Sequence, residues 1–347
     1  MIKPSHFQPC RRQSGLSIVE LMVALTIGLI VLAAMSGVFI GSNHTRNEMQ
    51  KSTQQQENGR YAAQLLSDNL MLAGYLAEFN PTPLTTPAVL PDPCATSIAD
   101  LLTALPLHVQ GINNGATMPT CISDLKAGTD ILVVRRVSSC VAGAAGCDAY
   151  VAGTPHFQAS LCTPTDGSNV ELAHAMTNDA DYAAHYFALS NTALDFTRRK
   201  TDCVTQADIQ RYLVYIYYIA NNNEAGDGIP TLKRAQLGAD AFAIVPQVDG
   251  IEDMQIEYGI DNNNDGSPDT YTPIPATTTE WRNVVTARIH LLARNSRTTQ
   301  NYIDNRSYTM GLEADGTDKV LGPFNDGYKR HVYSTTVQLA NPSWRRQ

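Results

Sequence analysis

The sequence has no G-x-x-x-x-G-K-[ST] phosphate loop, no G-x-S-x-G turn and no H-E-x-x-H pair. Those absences remove the simplest routes to a nucleotide-driven motor, a serine hydrolase and a zinc protease. Basic surplus is lacking as well: 25 Lys and Arg stand against 33 Asp and Glu, a net charge of −8. A nucleic-acid binder needs the opposite balance, because phosphates demand a basic face. No two cysteines are spaced C-x-x-C, which argues against a zinc ribbon. Charged residues are only 17%, below the usual quarter, while 43% are apolar, so the chain reads as folded and not as a solvated acidic tail. The eight histidines are scattered; His174 and His185 share a stretch with Asp179 and Asp181 but have no metal-binding spacing. No enzymatic function is expected.

What is present begins at the N-terminus. Lys3, Arg11 and Arg12 are the only charged residues before position 16, and removing them would take the net charge from −8 to −11. From Leu21 to Ile40 the chain is almost wholly apolar, interrupted by Thr26, Gly28, Ser36 and Gly37. Twenty residues at about 1.5 Å each span about 30 Å, the thickness of a bilayer core. The basic leader keeps the N-terminus cytoplasmic and sends the rest across. A cleaved secretory signal would have a shorter core and an A-x-A-like site. A plain signal anchor accounts for the run but not for Glu20, since a carboxylate beside an apolar segment is costly and points to function. A cut after Gly15 accounts for both: it frees an ammonium on Leu16 that can neutralise Glu20, within the chain or from a neighbour.

The stretch Gly15-Leu16-Ser17-Ile18-Val19-Glu20-Leu21 resembles the class III signal of type IV prepilins. The resemblance implies cleavage between Gly15 and Leu16 by a prepilin peptidase, methylation of the new amine, and Glu20 as the assembly carboxylate. The family's usual first mature residue is Phe, where this chain has Leu16. Further on, Tyr61, Leu65, Leu66, Leu70, Ala73 and Leu76 recur at helical steps, so one long helix is expected from about Leu16 to Ala77, weakened at Gly28, Gly37 and Gly41. Glu57-Asn58-Gly59-Arg60-Tyr61-Ala62 and Ala73-Gly74-Tyr75 are similar to the PilW branch of minor pilins, as is the order Asp249–Gln255, Tyr258–Asp261, Trp281 and the Arg288 strand.

Pro81, Pro83, Pro87, Pro91 and Pro93 mark an extended connection out of the helix. Six cysteines follow, Cys94, Cys121, Cys140, Cys147, Cys162 and Cys203. Behind a membrane-directing segment they read as disulfides, against buried free thiols in a cytosolic chain. Six cysteines allow fifteen pairings, which the sequence does not decide between; pairing in chain order would give Cys94–Cys121, Cys140–Cys147 and Cys162–Cys203. Between them only Asp130–Val137 reads as a strand, and the rest as surface excursions. Tyr212–Ile219 reads as a central strand, and Met254–Tyr258, Val285–Leu291 and Val332–Leu339 as antiparallel strands with turns between. The expected fold is therefore α+β, a long N-terminal helix packed on an antiparallel β-sheet head, which is also the type IV pilin fold.

The expected organisation is a leader over 1–15, a hydrophobic transmembrane and assembly helix over 16–41, an amphipathic continuation over 42–80 and an extracytoplasmic head over 81–347. Within the head, 94–203 is the disulfide-bearing region and 204–347 the sheet region. One turn carries metal-like residues: Asp261, Asn263, Asp265 and Asp269 with Gly266. Oxygens at such steps suit calcium, but position twelve is Thr272 and the flanks read as strands, so an Asx-rich hairpin turn without metal is the favoured reading and calcium the alternative. No other cofactor is expected. The resemblance implies a minor pilin of the inner membrane, and later of the pilus fibre, that primes assembly and joins a tip complex for twitching and adhesion. It implies as partners the major and other minor pilins, the prepilin peptidase, the inner-membrane assembly platform, a PilY-type tip adhesin and, before assembly, membrane lipid. Nucleic acid is excluded. The alternatives are a minor pseudopilin of a type II secretion system and, from another class, a membrane-anchored periplasmic enzyme.

Overall fold

The computed structural model describes residues 15, 17–163, 171–172 and 178–346. The chain divides into two compact units, Met1–Lys51 and Ser52–Gln347. Helix α1 covers Ile18–Met71, so its first part belongs to the first unit and its end to the second. In the first unit the helix holds its form through Gly28, Gly37 and Gly41, where an added Cβ would meet nothing within 4 Å. Its large apolar side chains are all exposed, among them Ile18, Leu25, Leu32 and Phe39.

In the second unit Ala62, Leu66 and Leu70 of α1 are buried, a four-residue stripe facing the core. The helix ends earlier than its pattern suggests, at Met71 rather than Ala77. Gly74 takes the left-handed conformation (φ +69°), and its N–H bonds Arg135 O at 2.9 Å, so the chain turns away while Ala73 and Leu76 stay buried. The apolar spacing continues past the helix because the turn packs on the same core.

After the proline connection come α2 (Ile98–Ala104), β1 (Val109–Ile112), β2 (Ile131–Val141), β3 (His156–Ala159), α3 (Asp179–His185) and β4 (Phe187–Ser190). Next are β5 (Gln210–Ala220), β6 (Thr231–Leu237), β7 (Phe242–Asp249), β8 (Ile251–Ile260), β9 (Thr270–Thr272) and α4 (Thr278–Arg282). The chain closes with β10 (Val284–Arg294), β11 (Tyr308–Leu312), β12 (Asp318–Leu321), β13 (Arg330–Gln338) and α5 (Ala340–Trp344). A seven-stranded sheet has β5 at its centre, with β2 along one edge and both β3 and β6 along the other. A four-stranded sheet runs β13-β10-β8-β9, and β11 with β12 form a separate ribbon. The pairings are antiparallel, as expected from the turn-separated strands.

The core lies in two layers on either side of the large sheet. Leu213, Tyr215, Tyr217 and Ile219 of β5 face α1 and the four-stranded sheet, alongside Leu66, Leu70, Ile256 and Ile289. Tyr212, Val214, Ile216 and Tyr218 face the other way, onto Leu101, Phe79, Phe157 and Phe187. Burial on both sides explains why β5 is branched or aromatic throughout Tyr212–Ile219. It also corrects the reading of 94–203 as mostly surface excursions: this region supplies β1–β4, α2 and much of the second layer. Strands of four residues are too short to show a period, so their sequence looked irregular.

Alternation in β8 does not mark a solvent face either. All ten residues are buried, and Glu252, Asp253 and Glu257 are paired, with Arg330 (2.5 Å), Lys319 (3.2 Å) and Arg288 (3.3 Å) respectively. Lys319 comes from the β11–β12 ribbon, which covers this face; its ammonium also bonds Gln255 Oε1 and Gly128 O.

Candidate functional site

The first turn of α1 is built on a reciprocal cap. Ser17 Oγ accepts the Val19 N–H at 3.3 Å, and Glu20 Oε2 accepts the Ser17 N–H at 3.1 Å. Serine followed three residues later by glutamate is the capping-box pattern, which satisfies otherwise orphaned N–H groups at a helix start. The sequence signal for this cap is Ser17-x-x-Glu20, which the charge argument alone does not use. Glu20 remains exposed, so its second oxygen is open to another cation. Gly15 is exposed two residues before the cap; Leu16 lies outside the described residues. α1 is long and apolar enough to cross a membrane.

At its other end α1 is fixed to the head by polar contacts from one face. Gln55 Nε2 donates to Ala293 O (2.8 Å) and Lys329 O (3.0 Å), and Asn58 Nδ2 donates to Asp249 O (2.9 Å). These bonds occupy carbonyls at strand ends, where ladder partners run out. Gly59 is needed because the Tyr333 ring lies against it: a Cβ there would sit 2.1 Å from Tyr333 Cε2. Gly74, the odd glycine of the Ala73-Gly74-Tyr75 stretch, is both left-handed and pressed against His108, whose Cβ would lie 2.9 Å from an added methyl.

Three disulfides join Cys94 to Cys121, Cys140 to Cys147 and Cys162 to Cys203, the pairs named from the sequence. In the 261–269 turn, Asp261 is fully buried and accepts the Asn264 N–H (2.7 Å) and the Gly266 N–H (2.9 Å), one on each oxygen. The Arg346 guanidinium lies 3.6 Å from the same carboxylate. Asp265 accepts the Ser267 N–H, and Asp269 the Asn262 N–H, while Asn263 donates to both carboxylates. Among the described residues, no group of three or more His, Cys, Asp or Glu is arranged to hold a metal ion.

Two family models match the chain. The model for the prokaryotic N-terminal methylation motif matches residues 10–36, and that for PilW, type IV pilus-assembly protein W, matches residues 216–341. Together the two matches support a type IV pilus minor pilin of the PilW family. The long helix followed by an antiparallel, sheet-rich head is an α+β arrangement consistent with a pilin-like fold. The PilW match runs from within β5 into α5, so it covers the four-stranded sheet and the strands that receive α1, while the methylation-motif match covers the helix start. No curated protein and no solved structure is matched.

Proposed function

We propose that this PilW-family minor pilin primes pilus assembly by lodging its apolar helix among other pilin helices, with Glu20 taking the N-terminal ammonium of a neighbouring subunit. The observation that carries this reading is an exposed carboxylate in the first turn of a helix whose large apolar side chains from Ile18 to Ile40 are exposed. In hydrocarbon, an unpaired carboxylate is expensive and a paired one specifies register. Cleavage between Gly15 and Leu16 would create the matching ammonium in each subunit. The subunit would wait in the inner membrane with its head in the periplasm, where the three disulfides form, and would then pass into the fibre. Its partners on this reading are the prepilin peptidase, the inner-membrane assembly platform, the major pilin and other minor pilins, and a PilY-type adhesin if the complex sits at the tip. The role is structural, without catalysis.

The deciding experiment is N-terminal sequencing of the protein from sheared pili and from inner membranes. A chain beginning at Leu16 in both fractions is expected; a chain beginning at Met1 in the fibre would overturn the reading. Deletion of the gene should abolish piliation and leave type II secretion intact. The reverse outcome would make it a pseudopilin.

A further inference from the structure

Three arginines converge beside the turn that follows α1. Arg282 at the end of α4 and Arg345 and Arg346 just after α5 line a cavity of about 320 Å³, with His108, Pro106 and Pro342 in its walls. Arg282 is held by neutral acceptors: Leu84 O (2.9 Å), Thr86 Oγ1 (2.8 Å), Pro81 O (3.3 Å) and Thr82 O. Arg346 is held by Asn264 Oδ1 (2.7 Å), Asn283 Oδ1 (2.5 Å) and two carbonyls.

Among the described residues, two carboxylates act on this cluster. Asp261 lies 3.6 Å from Arg346 and is itself occupied by two N–H donors. Asp179 acts on Arg282 through space and accepts the Thr85 N–H at 3.0 Å. Neither acts on Arg345. Among the described residues its guanidinium makes one hydrogen bond, to Gly74 O at 2.8 Å, and burial pulls its pKa down to about 10. His108 adds no compensating charge: it is buried, its Nε2–H donates to Val284 O at 2.7 Å, and burial with the three nearby guanidiniums holds its pKa down to about 3.

Partly buried cations are normally matched by carboxylates, and guanidiniums bind oxyanions through paired N–H groups. We propose that this pocket binds a multivalent oxyanion, a phosphate or polycarboxylate group, with Arg345 as its principal ligand and Arg282 and Arg346 as flanking charges. The proline walls fix the cavity before binding, and its volume leaves room for the carbon skeleton that carries the anion.

The test is calorimetric titration of the full-length protein in detergent with inorganic phosphate, glycerol 3-phosphate and citrate, against sodium chloride at matched ionic strength. Saturable binding of at least one oxyanion, absent with chloride, is expected. Glycerol 3-phosphate binding more tightly than citrate would identify a phosphate carrier; the reverse order would identify a carboxylate carrier. Arg345→Gln should weaken binding at least about tenfold, the scale of a lost charge-assisted contact. Arg345→Lys, which keeps the charge but not the fork and guards against a folding defect in the first variant, should fall between. Arg60→Gln, elsewhere on the head, should bind like the parent. No saturable binding, or binding that Arg345→Gln leaves unchanged, would overturn the proposal.

Discussion

Replacing Glu20 by glutamine separates the two tasks the carboxylate can perform. Its bond to the Ser17 N–H at 3.1 Å is a cap, which glutamine fills as glutamate does. Such caps contribute about 1 kcal/mol. A carboxylate–ammonium pair about 4 Å apart contributes about 4 kcal/mol at an effective dielectric of about 20. If desolvation offsets half of that, the remaining 2 kcal/mol still corresponds to about a thirtyfold loss in assembly equilibrium. Glu20→Gln should therefore enter pili at least about thirtyfold less than the parent, although its helix start is intact. Glu20→Ala, which loses cap and pair together, should be only about fivefold worse than Glu20→Gln. The assay is quantitative immunoblotting of sheared fibre against membrane fractions, in cells lacking the native copy. N-terminal sequencing confirms that both variants are still processed. If Glu20→Gln assembles like the parent while Glu20→Ala does not, the carboxylate acts as a cap and the ion-pair mechanism is refuted.

Gly59→Ala should destabilise the head by about 1–3 kcal/mol, because its methyl group would meet the Tyr333 ring. Tyr333→Ala should recover part of that loss in a double-mutant cycle read by urea unfolding; additive losses would show that the ring is not the obstacle. Serine replacement of the Cys162–Cys203 pair, which closes 41 residues, should cost about 3.9 kcal/mol by loop-closure entropy, against about 2.4 kcal/mol for Cys140–Cys147, which closes 7. Equal losses would remove the entropic account. His108 is held neutral in the fold, with its pKa near 3 against 6.5 unfolded, so the folded state binds fewer protons and its stability contribution is lost as pH falls below 6.5. The stability gap between the parent and His108→Gln should shrink by about 1.4 kcal/mol per pH unit between pH 6 and 4. Asp130, raised by burial to about 7, has the opposite sign: its contribution declines as pH rises from about 4 to 7, so the Asp130→Asn gap should shrink in that direction. The 261–269 turn is satisfied by its own N–H donors, so millimolar calcium or chelator should leave the melting temperature unchanged; a rise of several degrees with calcium would show a binding loop.

What could be read in the sequence follows from the length of each signal. The apolar part of α1 was legible because twenty successive residues, Leu21 to Ile40, carry no charge. β5 and β10 were legible because eleven residues are enough to show a period or an unbroken branched run. β1, β3 and β4, at four residues each, were not, and the cysteines around them invited a reading as stapled loops. The end of α1 was misplaced for a different reason: Ala73 and Leu76 are buried by the turn that Gly74 makes, so burial outlasted the helix that had produced its spacing. The arginine pocket could not be read at all. Arg282 lies sixty-three residues from Arg345, and neither residue has a motif around it. They meet only because α4 and α5 flank β10 and β13, which pair from Thr286–Gln338 to Arg294–Arg330. Position along the chain thus revealed the apolar helix, whose signal is local to one segment. Surfaces composed by strand pairing, where recognition of anything beyond the fibre would take place, become visible only once the register is known.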